Sequence, residues 1–221
     1  MNIMYKERKL EPEKNTKLYL DHCIKNANNI GHFSHALFLK SEIRGFRNIS
    51  SVLDVACGIG DISYVLAIDD KISVHGIDNN RAAISYAKQR RLPNLSYAVR
   101  DAYNLEELGN TYDLVYCWGS LHHFADTEKA IEQMVKVAKK KIFIYDFCRE
   151  IQPEMMYKLE EAEINHGFNF TMADSIKAAL TLKELTEIAK HLNVNFRIRM
   201  NDEILDQFNI TYSTLLCVID K

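Results

Sequence analysis

Three aspartates occupy comparable places in three successive apolar runs of the chain. Asp54 lies inside the first run, Asp78 ends the second, and Asp101 follows the third. Carboxylates favour cationic groups and accept hydrogen bonds from hydroxyl and amine donors. At the end of the second strand of a βαβ unit, a carboxylate can accept both hydroxyls of a ribose. Asp101 is placed to accept the exocyclic amine of an adenine, so the pattern indicates a nucleoside ligand that carries positive charge.

A glycine-containing loop, Ala56-Cys57-Gly58-Ile59-Gly60, follows the first run. Glycine permits positive φ and lets a ligand approach bare backbone. A dinucleotide-binding loop would have a third glycine where this chain has Ser63, and Asp61 stands where a pyrophosphate would approach. Both residues disfavour NAD. Asp61 either adds to the negative charge around a cationic ligand or serves as the N-cap of the next helix.

The elements that position these residues are predicted from apolar periodicity. Strands are predicted at 51–56, 72–77, 95–99, 112–118, 141–146, 195–200 and 212–219. Helices are predicted at 13–26, 32–44, 62–67, 81–91, 127–138, 153–164 and 181–192, and a turn-rich loop at 165–174. Alternating strands and helices indicate a parallel sheet covered by helices, with 112–118 and 141–146 as central strands. The last two strands are predicted to pair antiparallel at one edge.

Composition narrows the function classes. The net charge of -2 gives no positive field for a nucleic acid, and the basic run 88–91 is interpreted as a solvated helix end. Five widely spaced cysteines without a CxxC pair favour neither disulfides nor zinc, and indicate a reducing cytoplasm. No stretch approaches the ~20 apolar residues of a membrane span. We expect no nucleic-acid or membrane partner, and the sequence leaves monomer and homodimer open.

Four segments together resemble the Rossmann-like, class I family of S-adenosylmethionine-dependent methyltransferases. They are 52–60, 76–78, 100–102 and 112–115 continuing to Leu121-His122-His123, and the likeness covers 52–146. It implies an α/β fold with a seven-stranded, mostly parallel sheet in the order 3-2-1-4-5-7-6, the last strand antiparallel, with helices on both faces and an N-terminal helical lid. The chain departs from the family at Ala56, where many members have glycine, and at Asp61, where they have a glycine or similar small residue.

The resemblance also implies the ligand and its contacts. S-adenosylmethionine would be the cofactor, with its methionine end held by Asp54 and the glycine loop, its ribose by Asp78 and its adenine by Asp101. The predicted cofactor-binding residues are Asp54, Ala56, Cys57, Gly58, Gly60, Asp78, Asn79, Asp101, Ala102 and Cys117. No metal is predicted.

Methyl transfer releases a neutral thioether, so the protein's main contribution is the alignment of the reacting atoms. A base is needed only when the acceptor is a hydroxyl or a protonated amine, and histidine is the natural candidate. His122 and His123 are the predicted catalytic residues, with His122 favoured because it lies nearer the end of the fourth strand. Alternatively the pair only shapes the pocket, because a Leu-His-His run occurs in family members with unrelated acceptors.

The acceptor is expected to contact segments outside the common core. The predicted substrate-binding residues are Tyr19, His32, His35, Trp118, Asp146 and Arg149. We expect one domain over 1–221, with N-terminal helices at 1–48, the cofactor-binding core at 49–146, and an insert and the last strands at 147–221. The predicted activity is methylation of an oxygen, nitrogen or sulfur atom of a small molecule. Alternatives are a methyltransferase acting on protein or RNA, and a non-catalytic module that binds S-adenosylmethionine.

Overall fold

The computed structural model describes residues 8–9, 20–21, 23–25, 30–46, 48–68, 72–109, 111–166, 172–205 and 209–221, with backbone alone for 30–35. The described helices are α1 Ile30–Gly45, α2 Asp61–Ala67, α3 Arg81–Ala87, α4 Thr127–Val137, α5 Pro153–His166, α6 Met172–Ala178 and α7 Leu182–His191. The strands are β1 Ser51–Val55, β2 Ser73–Asp78, β3 Leu95–Val99, β4 Tyr112–Trp118, β5 Ala138–Phe147, β6 Asn195–Leu205 and β7 Ile210–Asp220. Of the helix predicted at 13–26, only 20–21 and 23–25 lie within the described residues, and these are helical.

The strand order is confirmed. The seven strands form one sheet in the order β3-β2-β1-β4-β5-β7-β6. β1 pairs parallel with β2 and with β4, and β2 pairs parallel with β3. β6 and β7 pair antiparallel from Asn195↔Asp220 to Leu205↔Ile210, as the short connection between them predicts. Parallel pairing places the carboxyl ends of β1, β2, β3 and β4 at the same edge of the sheet, which is where such folds bind ligands.

The sequence misplaced some element bounds. β5 begins at Ala138, directly after α4, and not at Lys141, and β6 continues to Leu205 instead of ending at Met200. α3 ends at Ala87, whereas the predicted helix continued to Arg91. The loop predicted at 165–174 is wrong at both ends, because α5 continues to His166 and α6 begins at Met172.

Helix α6 is capped by a residue that is distant in sequence. The buried Glu163 carboxylate accepts hydrogen bonds from the Met172 and Ala173 backbone amides at 2.6 and 3.2 Å. These amides have no partner within the helix, so a carboxylate stabilises its amino end. Ala173 and Ile176 then pack with Met156 of α5 in one buried cluster. Local turn signals do not reveal a cap of this kind, which explains the missed helix.

The chain divides into two compact units. The described residues of the first fall within 14–118, 129–142 and 221, and we call it the loop unit because it contains the glycine loop. The described residues of the second fall within 1–13, 119–128 and 143–220, and we call it the hairpin unit after β6 and β7. The expectation of one domain over 1–221 stays a prediction. Nowhere in the described chain is a helix both long and apolar enough to cross a membrane.

Asp113 fixes the amino ends of β1 and β4 in the loop unit. Its carboxylate accepts hydrogen bonds from the Ser50 amide (2.9 Å), the Ser50 hydroxyl (2.7 Å) and the Ser51 amide (3.2 Å), and pairs with Lys140 at 2.8 Å. Burial alone would raise the pKa of Asp113, but these donors and the Lys140 ammonium hold it well below its usual range. This network orders the strands at the end opposite to the predicted site.

Candidate functional site

The glycine loop has the left-handed backbone that its composition suggests. Ala56, Gly58 and Gly60 have φ angles of 60°, 54° and 76°. The loop is held by the Cys57 amide, which donates to the Ile77 carbonyl at 2.9 Å, and by the Gly60 amide, which donates to the Cys57 carbonyl at 2.9 Å. Alanine in this region costs roughly 1–2 kcal/mol relative to ordinary helical backbone, which is why glycine would suit position 56.

The expectation that Asp61 caps the following helix is wrong. Gly60 occupies the N-cap position, and Asp61 is the first residue of α2. The Asp61 carboxylate forms an ion pair with Arg90. The Arg90 guanidinium lies over the rings of Tyr64 and Tyr86, 5.7 and 5.9 Å from their centroids. Arg90 is therefore not simply part of a solvated helix end, as predicted for 88–91. Its positive charge also offsets the negative charge of Asp61, which was expected to repel a pyrophosphate.

Tyr97 packs against the backbone of two glycines. It lies opposite Gly76 in the β2–β3 pairing, and its hydroxyl donates to the Gly60 carbonyl at 3.0 Å. A β-carbon on Gly76 would lie 2.6 Å from the Tyr97 ring, and one on Gly60 would lie 2.5 Å from the Tyr97 hydroxyl. Tyr97 was not among the residues predicted from the sequence. A glycine inside a strand signals close backbone approach, and Gly76 was the available clue.

Gly76→Ala is expected to destabilise the protein by about 1–3 kcal/mol, the usual cost of forcing extra volume into a packed core. A chain of this size then loses roughly 2–4 °C of melting temperature per kcal/mol, which thermal unfolding measures. Gly45→Ala is the matched control, because a β-carbon there meets nothing within 4 Å. Equal melting temperatures for the two variants would contradict the packing described for Tyr97.

Asp78 binds the glycine loop through its carboxylate. One oxygen accepts a hydrogen bond from the Gly58 amide and the other from the Asn80 amide, both at 2.8 Å. Asn80, which was not a predicted site residue, caps α3 by accepting hydrogen bonds from the Ala82 and Ala83 amides. The neighbouring Asn79 is exposed. Asp78 therefore joins the end of β2 both to the loop and to the start of α3.

Asp101 is an N-cap at the end of β3. Its side chain is exposed and accepts a hydrogen bond from the Tyr103 amide at 2.9 Å, at the start of a 3-10 helix over Ala102–Leu108. Ala102 is buried. Asp101 shares the carboxyl edge of the sheet with Asp78 because their strands are parallel. A cap role does not exclude a ligand role, since the second carboxylate oxygen has further acceptor capacity.

Asp54 is buried beneath the loop, with 3% of its surface exposed. The Ser63 hydroxyl of α2 donates to its carboxylate. Burial raises the pKa of Asp54 to about 7, and the Asp78 carboxylate acts in the same direction, whereas the hydrogen bond from Ser63 lowers it. Burial, together with Asp54 and Asp78, also raises the pKa of the Cys57 thiol, so Cys57 is a neutral, unreactive thiol.

Cys117 and Trp118 end β4 at the same edge. Cys117 is fully buried, as its place on a central strand predicts. Trp118 is half-buried, and its ring makes an edge contact with Phe38 of α1, with 5.9 Å between centroids. Hydrogen bonds thus connect Cys57, Gly58, Gly60 and Asp78 of the predicted cofactor set. Asp54 is bound to α2 through Ser63, and Asp101 and Trp118 lie at the same edge of the sheet.

His122 and Asp146 form a buried pair in the hairpin unit. His122 Nδ1 lies 2.6 Å from one Asp146 oxygen, and the His122 amide donates to the other at 2.7 Å. The His122 ring is in edge contact with Phe147, with 5.5 Å between centroids. An acid on one imidazole nitrogen fixes the orientation of the ring, the arrangement used where histidine acts as a base. His123 is exposed, and its ring centroid lies 4.0 Å from that of His122.

Other contacts hold the segment that carries His122. The Arg8 guanidinium donates to the His122 carbonyl at 2.9 Å and to the Phe124 carbonyl at 2.8 Å, and it also binds the Ala178 carbonyl. The Gly119 amide donates to the Tyr145 carbonyl at 2.7 Å. Arg8 was not predicted, because no local pattern distinguishes it from the other charged residues of the amino terminus.

Arg149 is fully buried and binds the protein itself. Its guanidinium donates to the Ala179 carbonyl and to the Glu184 carboxylate. Glu184 in turn completes a capping box with Thr181 at the start of α7. These contacts give Arg149 a stabilising role, and its predicted substrate contact stays a prediction. Tyr19 and the side chains of His32 and His35 lie outside the described residues.

Comparison with known proteins agrees with this architecture. Residues 48–192 match a family model described as a methyltransferase domain, and because the match covers more than half of the sequence, the chain belongs to this family. Over 103 residues the chain is 32% identical to phosphoethanolamine N-methyltransferase 1 of Triticum aestivum. That match covers 44% of this chain but only 21% of the wheat protein.

Solved structures show the same fold. The plantazolicin methyltransferase BamL, crystallised with a triazolic desmethylPZN analogue and SAH, matches with a TM-score of 0.70 at 20% identity, over 93% of this chain and 90% of that one. The magnesium protoporphyrin IX methyltransferase ChlM of Synechocystis PCC 6803, with bound SAH, matches with a TM-score of 0.65 at 18% identity, over 90% and 87% of the two chains. At identities of 20% and 18%, the likeness to these two structures shows a shared fold alone.

Proposed function

We propose that the chain is an S-adenosylmethionine-dependent methyltransferase that methylates an oxygen, nitrogen or sulfur atom of a small molecule. The observation that supports this best is the placement of Asp54, the glycine loop and Asp78 at the carboxyl ends of the paired strands β1 and β2, where Asp78 binds the Gly58 amide. Membership of the methyltransferase-domain family supports the reaction class. The proteins of similar sequence and structure named above act on a phosphoethanolamine, a plantazolicin and a porphyrin, which supports a small acceptor.

The residues present fit this cofactor. Within the described part of the chain, no cation acts on the buried Asp54 carboxyl group, whose pKa is raised by burial, and the cofactor's ammonium group would supply one. Asp78 would accept the ribose hydroxyls, Asp101 would accept the adenine amine, and Gly58 and Gly60 would leave room beside bare backbone. Ala56, Cys57, Asn79, Ala102 and Cys117 complete the proposed binding set. When bound, the cofactor supplies an electrophilic methyl group on a positively charged sulfur.

Two further roles concern the acceptor. His122, oriented by Asp146, would take a proton from a hydroxyl or ammonium acceptor. Where the acceptor needs no base, the pair would only order its segment, and alignment would be the whole mechanism. Trp118, half-buried at the end of β4, would contribute an apolar wall. Among the described residues no group of three or more His, Cys, Asp or Glu could hold a metal ion.

The purified chain is expected to bind S-adenosylmethionine and S-adenosylhomocysteine and not NAD. A third glycine is replaced by Ser63, which is fully buried against Asp54, and no feature of the loop replaces the missing pyrophosphate contact. Titration calorimetry with each ligand measures this directly. Tighter binding of NAD than of S-adenosylhomocysteine would overturn the proposal. Binding of S-adenosylhomocysteine without turnover on any pooled small metabolite would favour the non-catalytic module.

A further inference from the structure

A buried polar cluster in the loop unit consists of Asp54, Ser63 and Tyr116. The Ser63 hydroxyl donates to the Asp54 carboxylate, and Ser63 is fully buried. Tyr116 lies directly opposite Asp54 in the β1–β4 pairing and is also fully buried. Three elements therefore contribute to the cluster: β1 provides the acid, and α2 and β4 each provide a hydroxyl.

The buried Tyr116 hydroxyl has no hydrogen-bond partner among the described residues. It lies close enough to Asp54 to interact with its carboxylate, but it makes no hydrogen bond of acceptable geometry among the residues described. An unsatisfied buried hydroxyl is costly, typically by about 1–3 kcal/mol, and native structures rarely keep one without a reason. A small shift of the Asp54 carboxylate would give Tyr116 its acceptor. The cluster therefore has two hydrogen-bonding arrangements available.

We propose that burial holds Asp54 as a neutral acid in the cofactor-free protein, that Ser63 and Tyr116 are positioning residues whose hydroxyls stabilise its carboxylate beside the cofactor's ammonium group, and that cofactor binding therefore releases a proton. The proton leaves the Asp54 carboxyl group for solvent, and no covalent bond changes otherwise. This inference deepens the proposed function and rests on it.

The electrostatic surroundings of Asp54 support the neutral form in the empty site. Burial raises the pKa of Asp54 to about 7, so the cofactor-free protein holds a proton there below neutral pH and about half a proton at pH 7. Among the described residues, the titratable groups that interact with Asp54 are the acids Asp78, Cys57, Tyr97 and Tyr116. None of them supplies positive charge, so an arriving ammonium group would be the first cation beside the carboxylate and would lower its pKa.

The test is titration of S-adenosylhomocysteine into the protein in two buffers of different ionisation enthalpy, which counts the protons released. For wild type we expect about half a proton released at pH 7, and affinity that rises by up to about tenfold per pH unit between pH 5.5 and pH 7. The ammonium group of the ligand keeps its charge in this pH range, because free α-amino groups have pKa values of about 7.7–8.0. Ser63→Ala removes the donor to the Asp54 carboxylate, and Tyr116→Phe removes the second hydroxyl available to it. For each variant, proton release at pH 7 should therefore rise towards one and the affinity profile should move to higher pH.

Two further variants complete the experiment. Asp54→Asn should bind more weakly, release no proton and show no pH dependence. Tyr112→Phe, the same change at the other end of β4, should match wild type. Binding of S-adenosylhomocysteine with no proton release at any pH, or release that persists in Asp54→Asn, would overturn the inference and leave the proposed function standing. Failure to bind at any pH would overturn the proposed function and the inference with it.

Discussion

His122→Asn is expected to lower turnover on the true acceptor by roughly 10²–10⁴-fold at saturating cofactor, the usual contribution of a positioned base. The loss should leave the affinity for S-adenosylhomocysteine nearly unchanged. Asparagine can still donate to Asp146 from a position close to that of Nδ1, and Asp146 keeps its hydrogen bonds from the His122 and Phe147 amides. The fold of this segment should therefore survive while the imidazole is lost. Steady-state kinetics beside a binding titration separate the two effects.

Two histidine controls make this result interpretable. His191→Asn removes an exposed imidazole from α7 and should leave turnover unchanged. His123→Asn removes the exposed neighbour of His122 and, on the geometry of the Asp146 pair, should have the smaller effect of the two adjacent substitutions. A His122→Asn enzyme within about threefold of wild type would fall far short of a base's usual contribution and would remove His122 from the catalytic residues.

Asp78→Ala is expected to weaken binding of S-adenosylhomocysteine by about 1–3 kcal/mol, which corresponds to roughly 5–150-fold in affinity. Two effects combine, because the variant removes the proposed acceptor of the ribose hydroxyls and frees the Gly58 and Asn80 amides that now hold the loop and the start of α3. A moderate fall in melting temperature should accompany the loss of affinity. Calorimetry and thermal unfolding of the same preparation measure both.

Asp113→Ala provides the matched control. It also removes a carboxylate that binds two backbone amides, but at the amino ends of β1 and β4. It should lower the melting temperature and leave cofactor affinity unchanged. If Asp78→Ala instead behaved like Asp113→Ala, with stability lost and affinity retained, Asp78 would be a structural residue and its assignment to the ribose would be wrong.

The sheet was predictable because each strand carries its own signal. β3 and β4 lie within the ranges that their apolar runs indicate, and the short connection between β6 and β7 predicts their antiparallel pairing. Bounds were less predictable where tertiary contacts decide them. The α6 amino end depends on Glu163, and residues 138–140 join β5 although the predicted helix ended at residue 138 and the predicted strand began at residue 141.

The site was predictable as a set of positions and less so as a set of contacts. The sequence places Asp54, Asp78 and Asp101 at or near strand ends, but it does not show that Asp54 is buried, that Asp78 holds the Gly58 amide or that Asp61 pairs with Arg90. These properties depend on residues far apart in the chain. The roles of Tyr97 and Arg8 were missed for the same reason, because their partners are 37 and at least 114 positions away.

The edge contact between Trp118 and Phe38 provides an optical probe. Trp118 is the only tryptophan in the chain, so the intrinsic indole fluorescence of the protein arises from one position. That position is half-buried at the carboxyl end of β4, the edge shared by the ends of β1 and β2. A ligand that changes the polarity or packing of this edge should therefore shift or quench the emission. Affinities of wild type and variants could then be followed by fluorescence titration without any label.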